Sequence, residues 1–371
     1  MKSRQEIPQA KRIVIKIGSS SLTGKDGTGL NKDAVEDLVS KVAALRSNGK
    51  EVVVVSSGAI AAGLAPLGLS SRPKDLSTQQ AAAAVGQGLL LHRYTEAFNR
   101  FNLVASQVLL TIDDVIRRSH YQNAQRTLFK LLQLGVVPII NENDSVGTQE
   151  IRFGDNDRLA ALVCHLIGAE LLVIISDVDG LYDSNPNRTG AKRINLVSDI
   201  ESIDTASIGG SVSKVGSGGM ITKVEAARIA TGAGIAMALT SLENLSSVLE
   251  GKESGTFFAA SSGKKPSRLL WLEHASTPRG RLILDSGAVT AIRERGVSLL
   301  PAGVTKVEGE FRAGDPIELC APDNQVFARG LVGFDSDEIP KLLGRSTKEL
   351  ARELGPEFER ELVHRDDLVL L

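Results

Sequence analysis

The chain has 371 residues, more than one ordinary hydrophobic core supports, since cores stop growing beyond roughly 250–300 residues; two domains are therefore expected. With 42% hydrophobic residues, 23% charged residues and a formal net charge of −1, the composition is that of a soluble globular protein and argues against a polybasic binder of nucleic acid or anionic membrane. Two cysteines, Cys164 and Cys320, both in apolar stretches, exclude a disulfide framework and suit reduced thiols in the cytoplasm.

The N-terminus, MKSRQEIPQAKR, lacks the apolar stretch of an export signal, and no later segment approaches the roughly 20 apolar residues of a spanning helix. RIVIKI (12–17) predicts a strand. Residues 31–50 predict a helix with Asn31 as N-cap, apolar residues at Val35, Leu38, Val39, Val42 and Leu45, and Gly49 as its stop. EVVVVSS (51–57) is the next strand. The alternation continues with helices near 78–100, 119–134, 156–167 and 220–231, and strands at 103–110, 136–140, 171–176 and 235–240. Strands that are continuously apolar and separated by helices predict an α/β three-layer sandwich with a mainly parallel sheet covered on both faces. A composition change at SGTFFAASSGKKPS (254–267) reads as a linker, which divides the chain into a first domain, 1–265, and a second, 266–371. In the second domain RLLWLE, GRLILD, DPIELCA and QVFARGLVGF read as short strands of a small, mainly β module.

In an open parallel sheet, ligands bind outside the carboxyl ends of the strands, and the polar clusters of this chain fall there. The first strand runs into Gly18, Ser19 and Ser20; the second, which ends in Ser57, into Gly58 and Ala59; VVPII into Asn141, Glu142, Asn143 and Asp144; LLVIIS into Asp177, Val178, Asp179 and Gly180. GSGGMITK (216–223) leads into a helix that carries Thr222 and Lys223 early. Glycine turns and a helix N-terminus suit phosphate, although either turn alone is weak evidence. Lys16 sits inside an apolar strand, where an ammonium is costly without an anion. It either snorkels to water from a strand edge or meets a phosphate, and its place just before the Gly-Ser-Ser corner favours the phosphate. There is no GxxxxGK[ST], no GxGxxG in the first βα turn, no HExxH and no CxxC.

INENDSVGTQEIRFGDND (140–157) crowds five acidic residues and three asparagines behind a strand. If Lys16 and Lys223 flank a transferring phosphoryl group, an acid must hold the two ammonium groups and Mg²⁺ must neutralise nucleotide oxygens; Asp157 fits the first task. Asp144, Asn141 and Asn156 offer acceptors and amide donors for a small zwitterion, and Asp155 equally suits capping of the following helix.

KIGSSSLT, VVSSGAIAAGL, QQAAAAVGQGLL, QVLLT, VVPIINENDSV, EIRFGDND, SDVDGLY and GSGGMITKVEAA resemble, in order, the motifs of the glutamate 5-kinase family within the amino-acid kinase superfamily. GRLILDSGAVTAIRERGVSLLPAGV with AGDPIELC resembles a PUA domain. The resemblance implies ATP-dependent phosphorylation of the γ-carboxylate of L-glutamate, the first step of proline synthesis, with proline as feedback inhibitor. It implies that Lys16 and Lys223 contact the phosphates and that Asp157 organises both. It also implies that Ser57, Gly58, Asp144 and Asn156 bind glutamate, with Asn141 and Asp155 lining the pocket. The nucleotide would lie against Lys16, Gly18, Ser176, Asp177 and the loop Ser217, Gly218, Gly219, Met220, Ile221, Thr222 and Lys223, with Mg²⁺ held mainly by ATP phosphates and not by a protein metal site. Ser176 and Ser217 stand where the family pattern leads us to expect threonine; both keep a hydroxyl. A homodimer or homotetramer and a separate glutamyl phosphate reductase are implied as partners. A kinase acting on aspartate or N-acetylglutamate is the nearest alternative. RNA binding by the PUA-like module is disfavoured, since residues 266–371 carry 14 Lys and Arg against 18 Asp and Glu.

Overall fold

A computed structural model of the chain describes all residues except 24–28, 112–113, 116–117, 147–155, 187–188, 204–218, 262–268, 270–271 and 274–277. The chain forms two compact units, Met1–Lys265 and Pro266–Leu371.

The first unit is built on an eight-stranded sheet: β1 Arg12–Ile17, β2 Glu51–Ser56, β3 Ala105–Leu110, β4 Val137–Glu142, β5 Leu171–Ile175, β6 Leu196–Val197, β7 Ala236–Thr240 and β8 Thr256–Phe258, in the order β3-β4-β2-β1-β5-β7-β8-β6. The first six strands of that order run parallel, whereas β8 is antiparallel to β7 and pairs in parallel with β6. The helices are α1 Ser19–Leu22, α2 Lys32–Ser47, α3 Ala59–Leu64, α4 Leu76–Asn99, α5 Arg118–Gln133, α6 Asn156–Ile167, α7 Met220–Gly232 and α8 Leu245–Leu249. Asn31 caps α2 by accepting from the backbone N–H groups of Asp33 and Ala34, and Gly49 behind it has φ +73°.

Alternation along the strands decides which helix each side chain meets. Ile13, Ile15, Ile17, Val52, Val54, Val137 and Ile139 share one core with Val35, Leu38, Val39 and Val42 of α2 and Leu90, Tyr94 and Phe98 of α4. The residues between them, Lys16 included, face the opposite side, where α6 packs over β1 and against α7. Lys16 is thus on the central strand of the unit, not at an edge, and the snorkelling reading fails.

Two further expectations are corrected. The stretch taken for a linker contains β8, whose three residues are all buried, because Phe257 and Phe258 supply apolar side chains to both faces of the sheet. The Ala260 N–H donates to the Met1 carbonyl at 3.0 Å and Lys2 Nζ donates to the Ala260 carbonyl at 2.6 Å, so this segment is tied to the chain's first residues. In the second unit the described residues of RLLWLE, Leu269, Leu272 and Glu273, are helical and not extended.

That second unit has a five-stranded sheet of β9 Gly280–Leu284, β10 Val304–Gly309, β11 Pro316–Cys320, β12 Val326–Leu331 and β13 Leu368–Leu370, ordered β10-β9-β11-β12-β13. Helices α9 Ser286–Arg295 and α10 Thr347–Leu354 complete it, and it has its own core around Leu282, Ile317, Leu319, Phe327 and Leu350.

Candidate active site

At the carboxyl end of the parallel strands, one carboxylate joins two ammonium groups from different elements. Asp157 lies in the first turn of α6 and is fully buried. Lys16 Nζ of β1 is 2.5 Å from its Oδ1, and Lys223 Nζ, from the first turn of α7, is 3.1 Å from its Oδ2. The lysines retain only 4% and 7% of their accessible surface. Burial alone would raise the Asp157 pKa, but the two ammonium groups more than reverse this and hold the carboxyl well below the usual carboxylate range. The α6 N-terminus adds partial positive charge in the same sense. The triad is therefore one anion shared by two cations, with an excess positive charge that a phosphoryl group can take up.

Small residues surround the lysines. A Cβ on Gly18 would stand 3.6 Å from Lys16 Nζ, in van der Waals contact with the ammonium. Gly219 is the N-cap of α7, and Thr222 Oγ1 donates to its carbonyl at 2.8 Å. Met220 and Ile221 begin the helix. Ser217 and Gly218 lie outside the described residues, as does Asp155.

Next to the triad is an amide network. Asn156 immediately precedes Asp157, and its Nδ2 donates to Ser57 Oγ at 2.9 Å and to Asn141 Oδ1 at 2.8 Å. Asn141 Oδ1 also accepts from the Glu142 N–H at 2.9 Å, and Asn141 Nδ2 donates to Gln87 Oε1 of α4 at 2.8 Å. Strand parity explains the last contact: Asn141 continues the row of Val137 and Ile139 that faces α4. By the same rule Ser56 faces α4, and its Oγ lies 2.9 Å from the hydroxyl of the buried Tyr94. These donors fix the polarity of every amide and leave Asn156 Oδ1 buried without a hydrogen-bond partner among the described residues. Gly58 follows Ser57 with φ +104°, a conformation open to glycine. Asp144 lies in the turn after β4, half-buried.

Ser176 and Asp177 are at the end of β5. The Ser176 N–H donates to the Thr240 carbonyl at 2.9 Å and its hydroxyl bonds Asp177 Oδ1 at 3.0 Å. A small cleft beside this corner is lined by Val178, Leu181, Tyr182, Asn185, Pro186 and Met220.

The fold thus joins Lys16, Asp157 and Lys223 in one cluster and Ser57, Asn141 and Asn156 in an adjacent one, with Ser176 and Asp177 on the β5 side. Sequence reasoning missed Gln87 and Tyr94. The available signal was a polar group on the buried face of α4, since Gln87 shares the helical stripe of Ala83, Leu90 and Tyr94. Among the described residues, no group of three or more His, Cys, Asp or Glu side chains is arranged to hold a metal ion.

Residues 11–241 match the model of the amino acid kinase family and residues 280–354 that of the PUA domain. The glutamate 5-kinase of Streptomyces avermitilis is 59% identical, the alignment covering 100% of this chain and 99% of that one. The glutamate 5-kinase of Thermobifida fusca is 57% identical over 100% of this chain and 95% of its own. In fold, the carbamate kinase of Giardia lamblia, solved with AMP-PNP, superposes with a TM-score of 0.51 at 19% identity, over 68% of this chain and 100% of that one. With a matching model over most of its length and relatives similar from end to end, the chain belongs to the amino acid kinase family and carries a C-terminal PUA domain.

Proposed function

We propose that this protein transfers the γ-phosphoryl group of ATP to the γ-carboxylate of L-glutamate, giving γ-glutamyl phosphate and ADP. The observation that carries the reading is the fully buried Asp157 between Lys16 and Lys223, in a chain whose full-length relatives are named glutamate 5-kinase. A γ-carboxylate oxygen attacks the γ-phosphorus, and the bond from that phosphorus to the β–γ bridging oxygen breaks, its electrons leaving with ADP. The nucleophile is already ionised at neutral pH, so no general base is needed. Positioning and charge neutralisation carry the catalysis.

Lys16 and Lys223 contact the phosphates and take up the charge of the transferring group, while Asp157 keeps both aimed. The nucleotide lies along Gly18, Ser176, Asp177 and residues 217–223. Mg²⁺ comes bound to the nucleotide and supplies charge neutralisation at its phosphoryl oxygens. Asp157 is occupied by two ammonium groups, which suits an ion carried by phosphates. Glutamate is held by Ser57, Gly58, Asp144 and Asn156, and Asp155, outside the described residues, is a further candidate for its binding. The unpartnered Asn156 Oδ1 is an acceptor suited to the α-ammonium. Asn141, whose amide is engaged by Gln87, Glu142 and Asn156, orients the others.

The product is an acyl phosphate, so we assign the protein to proline biosynthesis in the cytoplasm, ahead of a separate glutamyl phosphate reductase. Proline, which shares the α-carboxylate and ammonium, inhibits at the glutamate site, and the chain works as a homodimer or homotetramer. The test is ADP release from Mg·ATP with L-glutamate, L-aspartate, N-acetyl-L-glutamate or UMP as acceptor, with hydroxylamine to trap an acyl phosphate. Glutamate-dependent turnover yielding the γ-hydroxamate, suppressed by proline, is expected; turnover on another acceptor would overturn the substrate assignment.

A further inference from the structure

Lys223 and Asp157 belong to different helices, so their 3.1 Å separation depends on how α7 sits against α6. Both helices bury many alanines, Ala160 and Ala161 on α6 and Ala226, Ala227 and Ala230 on α7, and short side chains give low ridges that set rotation and sliding weakly. A second ion pair crosses the same seam. Arg158 Nε donates to Glu225 Oε2 at 2.7 Å, and Arg158 Nη2 donates to the same oxygen. Arg158 follows Asp157 directly and Glu225 is two residues beyond Lys223, so along the helix axes this pair is within about 3 Å of the catalytic one. The polarity is reversed: α6 gives the anion at 157 and the cation at 158, α7 the cation at 223 and the anion at 225. An arginine in the first turn of α6 opposes the helix dipole, a cost that a specific partner must offset.

We propose that Arg158 and Glu225 are positioning residues, a clamp that holds the start of α7 in register with α6 while Lys223 is redirected to phosphate. The inference rests on the kinase reading above. When anionic phosphoryl oxygens compete for the lysine ammonium groups, the tie from Lys223 to Asp157 weakens. The pair from Arg158 to Glu225 ties the same two helices through side chains outside the triad, so it keeps Lys223 within reach through the transfer.

The experiment is a double-mutant cycle on the full chain with Arg158→Ala, Glu225→Ala and the double variant. It reads kcat, the KM of glutamate and of Mg·ATP, the thermal midpoint, and AMP-PNP affinity by calorimetry. Each single substitution is expected to lower kcat about tenfold with glutamate KM within about twofold, and the double to lose no more than either single, the non-additivity that marks a coupled pair. Conservative Arg158→Lys should recover part of the kcat. Wild-type kcat in the single variants, additive losses in the double, or a loss that follows the thermal midpoint alone would overturn the clamp. If the wild type fails to phosphorylate glutamate, the substrate reading falls, and AMP-PNP affinity still decides the clamp: coupled weakening supports it, and unchanged or additive affinities reject it.

Discussion

Lys16 Nζ lies 2.5 Å from Asp157 Oδ1, joining the central strand of the sheet to the first turn of a helix on the face above it. The third member, Lys223, comes from a separate helix, so each lysine can be tested against the carboxylate they share. In the proposed mechanism Lys223→Ala removes a charge aimed at the transferring group while leaving the amide cluster around Ser57 intact. We expect kcat to fall about 10²–10³-fold, in the range seen when one charge-stabilising donor is lost, with glutamate KM nearly unchanged. Asp144→Ala should do the reverse and mainly raise the glutamate KM. Steady-state kinetics in both substrates checks the split, and proportional losses in both parameters for both variants would refute it.

Asp157 links the site to stability. Its folded-state pKa is depressed, so the stabilisation it gives is fully present above its unfolded value of ~3.9 and is lost as pH falls through the lower folded value. The wild type should therefore exceed Asp157→Asn in stability by a constant margin from neutral pH down to that point, and the margin should close only in stronger acid. Denaturant titrations at several pH values measure it; a margin that closes between pH ~5 and ~7 would show that another group is responsible.

Gln87 offers a test of the amide network from a residue placed behind it. Replacing it with leucine strands the buried Asn141 Nδ2, at a cost of about 1–3 kcal/mol for an unsatisfied donor. Part of that cost should appear as a raised glutamate KM, because Asn141 sets the orientation of Asn156, while the Mg·ATP KM stays at the wild-type value. An unchanged glutamate KM together with lowered stability would confine Gln87 to packing.

Gly86 acts through the packing of two helices. A Cβ there would fall 1.8 Å from the Ala59 carbonyl oxygen, and one on Gly63 2.0 Å from that of Ala82, so α3 and α4 cross backbone to backbone. Gly86→Ala must push the helices apart, with a loss of about 1–3 kcal/mol and a fall in Tm of ~2–10 °C. Because α3 begins just after Ser57 and Gly58, activity should decline with it. A thermal scan that superposes on the wild type would contradict the crossing.

The parallel strands and their helices were legible because their signals are local: continuous Val/Ile runs, an asparagine cap, a glycine stop. Lys16 could be singled out because a lysine in an apolar strand conflicts with burial unless an anion answers it, and Asp157 because two lysines flanking a phosphoryl group need an acid to hold them. Their pairing required the fold, since 140 positions of sequence separate them. β8 was misread because its Phe257 and Phe258 are flanked by serines, glycines and lysines, and a three-residue strand is too short for periodicity to register. Gln87 was overlooked for a different reason: one polar residue in an alanine-rich helix looks like surface until strand parity turns Asn141 toward it.

The bonds between Met1, Lys2 and Ala260 give the first unit a property apart from its chemistry. Residues near its start and Ala260, just beyond its last strand, meet. The order of its strands along the polypeptide is then a matter of where the ring is cut. A permuted gene that bridges Ala260 to Met1 and opens the exposed turn at residues 65–68 would keep every strand neighbour, and both lysines would still arrive at the same carboxylate.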